Sequence, residues 1–106
     1  WMGCHLFTGG LMPAADTVLW FQDTLRIDDR WLLDGTHYER TANHWLANQD
    51  ARHDEVMAIL REAYGDAAKL WFQRWRMFWM ACAELFGYDH GREWMVAHYR
   101  FTKEAT

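Results

Sequence analysis

The sequence predicts a helix-rich α/β fold in which two strands complete a sheet whose other strands lie upstream of the chain. Three observations carry this. Apolar residues recur at spacings of three and four across three stretches between residues 36 and 86, the period of a helix with one buried face. Two further stretches, residues 25–33 and 94–101, alternate in the period of a strand. Two strands alone do not make a stable sheet, so they need more strands or a packed helix layer.

Taken in order, residues 1–11 are largely apolar and end on Gly9-Gly10. Pro13 and Asp16 then suit the entry to a short helix over residues 14–23, because the donor that proline lacks would be unpaired in a first turn anyway. From Leu25 to Leu33, apolar Leu25, Ile27 and Trp31 alternate with Arg26, Asp28 and Arg30, which predicts the first strand. Gly35 breaks the chain, and Thr36 with Glu39 has the spacing of a capping box, so a helix is expected from Thr36. Tyr38, Thr41, Ala42, Trp45, Leu46 and Gln49 fall on one face of it. Residues 52–64 continue helically with Val56, Ile59, Leu60 and Ala63 inward, and Gly65 ends them. Asp66 is placed to cap a third helix to Phe86, with Gly87 as its terminator, and residues 94–101 read as the closing strand.

The chain has 106 residues, the size of one packing unit. It begins on Trp1, without a basic stretch followed by an apolar segment, and reads as a piece of something longer. Eight Trp, six Phe and four Tyr exceed the needs of so small a core, and surplus rings fill a crowded interior or line a cavity. Eleven Lys and Arg against fifteen Asp and Glu give a formal charge of −4, which disfavours a nucleic-acid partner. The longest apolar run, residues 77–83, is far short of the ~20 residues a membrane span needs. Cys4 and Cys82 are far apart and form no metal knuckle or disulfide framework, so a cytoplasmic location is expected.

The motifs narrow the chemistry by elimination. Six histidines show no HxxxH or HExxH spacing, which argues against a metal site. Gly9-Gly10 falls short of the three glycines of a dinucleotide cradle, and the absence of serine excludes a serine nucleophile. Arg74 and Arg76 alternate with Trp71, Trp75 and Trp79, an arrangement better explained by arginine stems lying over rings than by a surface for single strands. Phe78, Cys82 and Phe86, at i, i+4 and i+8, make a soft apolar stripe with Trp75 and Trp71 one and two turns earlier. Such a stripe serves equally as core or as the wall of a pocket. Tyr38, one turn into its helix, offers a hydroxyl to a pocket or packs as a structural ring.

Together, Phe7-Thr8-Gly9-Gly10-Leu11-Met12-Pro13, then Gly35-Thr36-His37-Tyr38-Glu39-Arg40-Thr41 with Trp45, then Cys82-Ala83-Glu84-Leu85-Phe86 resemble the C-terminal part of the cyclopropane-fatty-acyl-phospholipid synthase and mycolic-acid cyclopropane synthase family. Val96-Ala97-His98-Tyr99-Arg100-Phe101 looks like that family's last strand. The resemblance implies that residues 1–106 are the C-terminal portion of a Rossmann-like methyltransferase domain dependent on S-adenosylmethionine, with the cofactor-binding half preceding Trp1. It implies unsaturated phospholipid acyl chains as the partner, peripheral contact with a membrane, and bicarbonate as the base that closes the ring. Of the family's bicarbonate ligands only the tyrosine has a match, which gives Tyr38 a catalytic role. Ala42, Phe78, Cys82 and Phe86 match acyl-pocket positions, although mycolic-acid members carry Leu and Tyr where Ala42 and Phe78 stand. Relatives in the same superfamily methylate without closing a ring, or methylate amines. The remaining alternatives are therefore part of another small-molecule methyltransferase and a helical interaction module without chemistry.

Overall fold

A computed structural model describes residues 1–103. A short helix α1 (Met2–His5) opens the chain, and a single 3-10 turn (Thr17–Trp20) stands where residues 14–23 are expected to be helical. Strand β1 (Leu25–Leu33), helices α2 (Thr36–Ala51), α3 (His53–Tyr64) and α4 (Ala68–Gly87), and strand β2 (Val96–Lys103) follow. The described residues form two compact units, where length alone predicts one: residues 1–33 with β2, and residues 34–95.

In the first unit β1 and β2 pair antiparallel, with Leu25 opposite Lys103 and Leu33 opposite Val96. An irregularity between Ile27 and Asp29 breaks the strict alternation, which is why the periodicity of β1 is imperfect in the sequence. Across the strands, the Arg100 guanidinium lies 5.7 Å from the Trp31 ring. Arg30 donates to the Ala15 carbonyl at 3.3 Å, and the Tyr99 hydroxyl donates to the same oxygen. That carbonyl fastens the segment before β1 to the sheet.

The second unit is a layer of three helices. The buried residues are Ala42 and Gln49 of α2, Met57 and Leu60 of α3, and Ala68, Trp71, Phe72 and Ala83 of α4. The inward face of α3 differs from the expected one. Ile59 is 65% exposed and Ala63 is exposed, while Met57 is buried. The cause is Arg52, which leaves helical geometry at φ −108°, ψ 35°, so α3 is a separate helix with its own phase rather than a continuation of α2.

The start of α2 also departs from the capping box. Thr36 is already helical and Gly35 stands at the N-cap; ahead of it the Asp34 Oδ1 accepts the Thr36 N–H at 3.0 Å and the Thr36 hydroxyl. These two bonds hold the Asp34 carboxyl below its usual pKa. Gly65 ends α3 at φ 53°, and one 3-10 turn (Gly65–Ala67) precedes α4, so Asp66 is not the immediate cap.

Candidate functional site

Helices α2 and α4 run antiparallel, because Tyr38 meets Phe86, Trp45 meets Trp79, and Gln49 meets Phe72. Their near end is set by glycine. The Gly35 N–H donates to the Gly91 carbonyl at 2.8 Å, and a Cβ on Gly35 would stand 2.1 Å from the Phe86 oxygen and 2.3 Å from the Trp94 oxygen. Only a residue without a side chain lets the first turn of α2 come this close to the end of α4. At the far end, Asp50 accepts both Nε (2.7 Å) and Nη2 (3.1 Å) of Arg76. This forked pair fixes the register of the two helices from side chains that are only partly exposed.

Between those two ends lies a chain of aromatic rings. Tyr38 stands edge-on to Phe86 at 4.4 Å and to Trp45 at 6.1 Å. Trp45 meets Trp79 at 5.0 Å, and Trp79 in turn stacks on Trp75 at 5.5 Å and meets Phe78 at 4.9 Å. Trp45, Trp75 and Trp79 form one side of an open apolar groove of about 380 Å³, lined also by Val56, Ile59 and Leu60 of α3 with Asn48 and Gln49 of α2. That volume falls within the range of small-molecule sites, roughly 300–1,000 Å³. Quadrupolar ring faces suit a flat aromatic ligand or a cationic nitrogen.

Each residue singled out from the sequence has a definite place here. Tyr38 and Ala42 lie on α2, one turn apart, facing Cys82 and Phe86 on α4, and Ala42 is 0% exposed. Tyr38, Phe78, Cys82 and Phe86 are half-buried. Phe78 belongs instead to the tryptophan cluster, through Trp75 and Trp79. Burial pushes the Tyr38 phenol above its ordinary pKa, with the neighbouring Cys82 adding to the shift, and burial likewise raises the Cys82 thiol. Both groups are therefore protonated at neutral pH. Arg74 lies over the Trp71 ring at 4.9 Å as expected, whereas Arg76 pairs with Asp50.

The partnership of Trp45, Trp75 and Trp79 is not legible in the sequence, since the stripe at i, i+4 and i+8 extends back through Trp75 and omits Trp79. Among the described residues no cluster of three or more His, Cys, Asp or Glu is placed to hold a metal ion, and no helix is long and apolar enough to cross a membrane.

An antiparallel strand pair and a three-helix layer in this order match the C-terminal part of the fold of an S-adenosylmethionine-dependent methyltransferase. The crystal structure of coclaurine N-methyltransferase bound to N-methylheliamine and SAH matches it with a TM-score of 0.74 at 37% identity, over 87% of this chain and 27% of that one. In sequence the chain is 37% identical over 109 residues to (S)-coclaurine N-methyltransferase of Papaver somniferum, covering 98% of this chain and 31% of the relative. It is 29% identical over 108 residues to pavine N-methyltransferase of Thalictrum flavum subsp. glaucum, covering 98% and 30%. The chain thus spans under a third of the length of these relatives. No family model matches it.

These likenesses correct the partner that the resemblance to cyclopropane synthases implies. The relatives are N-methyltransferases named for coclaurine and pavine, and the solved structure holds N-methylheliamine rather than a lipid. Unsaturated phospholipid acyl chains are overturned as the partner. The two chemistries share a methyl donor and differ in the nucleophile. An amine attacks with its lone pair and closes no ring, so neither an acyl tunnel nor a bicarbonate base is required. The stretches Gly35–Thr41 and Cys82–Phe86 lie at the α2–α4 seam, where Tyr38 meets Phe86. The solved relative holds SAH, the demethylated form of S-adenosylmethionine. Among the described residues no strand leads through a glycine-rich turn into a helix.

Proposed function

We propose that this chain is the acceptor-binding part of an S-adenosylmethionine-dependent N-methyltransferase that acts on a small aromatic amine of the coclaurine type. The observation that carries the reading is the apolar groove walled by Trp45, Trp75 and Trp79. Flat rings of an acceptor stack against such a wall, and the positive charge that develops on nitrogen during methyl transfer is favoured near indole faces. An acceptor stacked on this wall is held in one orientation toward the methyl donor. Phe78 extends the wall, and Tyr38, Ala42, Cys82 and Phe86 continue it along the α2–α4 seam. In this reading the cofactor is held by portions of the enzyme outside this chain.

The test uses the whole protein with methyl-labelled S-adenosylmethionine, offered either a secondary amine of the coclaurine type or vesicles of cis-unsaturated phospholipid. Label is expected on the amine nitrogen and not in the lipid. Label in the lipid, or in neither, would overturn the reading, and the second outcome would favour a helical interaction module.

Tyr38 has a narrower role here than the one implied by a bicarbonate site. Its raised pKa keeps it a phenol through neutral pH, which suits it to donate a hydrogen bond to a bound acceptor rather than to serve as a base. Loss of a general base costs roughly 10²–10⁴ in rate, whereas loss of one neutral hydrogen bond costs about 0.5–1.5 kcal/mol. Tyr38→Phe is therefore expected to lower turnover by no more than about tenfold, with the shape of the pH profile between about pH 7 and 9 unchanged. Loss of one limb of that profile would make Tyr38 the base and contradict this assignment.

A further inference from the structure

We propose that Gln49 is a positioning residue for the acceptor wall: its side-chain amide, clamped between two helices, fixes the ring plane of Trp79. The inference rests on the reading of that wall as the acceptor site. Gln49 is 8% exposed and is the only buried polar residue among those described. Both ends of its amide are engaged. Nε2 donates to the Phe72 carbonyl at 3.0 Å, and Oε1 accepts the Trp79 indole N–H at 2.9 Å. A carbonyl can only accept and an indole N–H can only donate, so one orientation of the amide satisfies both partners and its reverse satisfies neither.

The consequence falls on Trp79. Its ring is the hub of the cluster, stacked on Trp75 at an interplanar angle of 28° and inclined at 58° to Trp45. The outer torsion of a tryptophan is broad, and packing against other flat rings does not choose strongly between its settings. A hydrogen bond from the indole nitrogen does choose, because turning the ring over carries the N–H away from Gln49. The Asp50–Arg76 pair one residue further along α2 already fixes the helix register, so the buried amide is not needed for that purpose. Its remaining effect is to present one face of Trp79 to the groove.

The carboxyl isostere Gln49→Glu gives a discriminating variant. In its protonated form the introduced carboxyl makes both bonds, with its O–H donating to the Phe72 carbonyl. In its ionised form it puts negative charge against that carbonyl, and the bond is lost. The experiment measures the amine KM, the S-adenosylmethionine KM, kcat and the near-ultraviolet circular dichroism of the stacked indoles in the whole protein, for wild type, Gln49→Met, Gln49→Glu and Trp75→Ala. Gln49→Met is expected to raise the amine KM about tenfold and to diminish the indole signal, with the cofactor KM and kcat within about twofold of wild type. Gln49→Glu should match wild type at low pH and approach Gln49→Met as pH rises, when each is taken as a ratio to wild type at the same pH.

A fall in thermal midpoint for both Gln49 variants, with amine KM and indole signal unchanged, would make the residue structural and overturn the proposal. A raised amine KM in Trp75→Ala but not in Gln49→Met would overturn the role of Gln49 alone. An unchanged amine KM in both would overturn the acceptor wall and the inference that rests on it. If Gln49→Met does not fold, the pH dependence of Gln49→Glu decides: a KM ratio that does not change with pH counts against the proposal.

Discussion

Gly35→Ala is expected to destabilise the protein more than any other single methyl addition among the described glycines. The added Cβ would stand 2.1 Å and 2.3 Å from two backbone carbonyl oxygens, of Phe86 and Trp94, and neither can swing aside as a flexible side chain would. Forcing extra atoms into a filled site costs typically about 1–3 kcal/mol. Two main-chain collisions at the seat of α2 place this case at or above the upper end, at about 3 kcal/mol or more. Relief requires the first turn of α2 to lift off the end of α4, which also breaks the Gly35–Gly91 hydrogen bond. Thermal unfolding followed by far-ultraviolet circular dichroism checks this, with Gly3→Ala as the control because nothing lies within 4 Å of a Cβ there. Equal midpoints for the two variants would mean that the approach of the two helices is looser than the structure has it.

The second large effect is expected at Trp75. Trp75→Ala removes a ring that stacks on Trp79 and lines the groove, and with it both apolar contact and the indole face toward a developing cation. A desolvated cation–π contact is worth up to about 2 kcal/mol, and an aromatic pair about 0.5–1.5 kcal/mol. Each ~1.4 kcal/mol is tenfold in affinity, so the amine KM should rise roughly 10- to 100-fold. The KM for S-adenosylmethionine should hardly move. A parallel rise in both constants would show a damaged fold, and an unchanged amine KM would remove the wall from the acceptor site.

Loss of either bond at the Asp50–Arg76 fork would act on the same surface indirectly. That pair and the Gly35 seat are the two fixed points from which the aromatic chain hangs, Tyr38 and Phe86 at one end and Trp75 at the other. The wall is therefore only as well defined as the approach of α2 to α4. A glycine far from the groove and an ion pair at its rim both shape the site for this reason.

Much of the local structure can be read from the residues themselves. The span of β1, the start of α2 near Thr36, the stop at Gly65 and the long fourth helix ending at Gly87 follow from periodicity and from glycine, all of which act within a few residues of chain. The departures are also short in range. Residues 14–23 carry a helix-entry pattern but only Thr17–Trp20 turn, and Arg52 breaks a run whose pattern looks continuous. Gly35 rather than Thr36 is the N-cap of α2, and the Asp34 carboxylate accepts the Thr36 N–H, since which oxygen reaches the first free N–H depends on the backbone angles ahead of the helix.

The order β1, α2, α3, α4 and β2, the inward placement of Ala42 and the shared face of Tyr38, Trp45 and Gln49 were determined by the sequence alone, because spacing along one helix is a one-dimensional fact. Which rings meet was decided only by tertiary structure. Trp45 of α2 and Trp79 of α4 lie on different helices, with all of α3 between them in the chain, yet their rings are 5.0 Å apart in space, and nothing in either helix specifies that register. It is set by the side-chain-free approach at Gly35 and the fork between Asp50 and Arg76. Contacts between helices add the free energy of two surfaces at once, so a groove formed where three helices converge has no signature on any one of them.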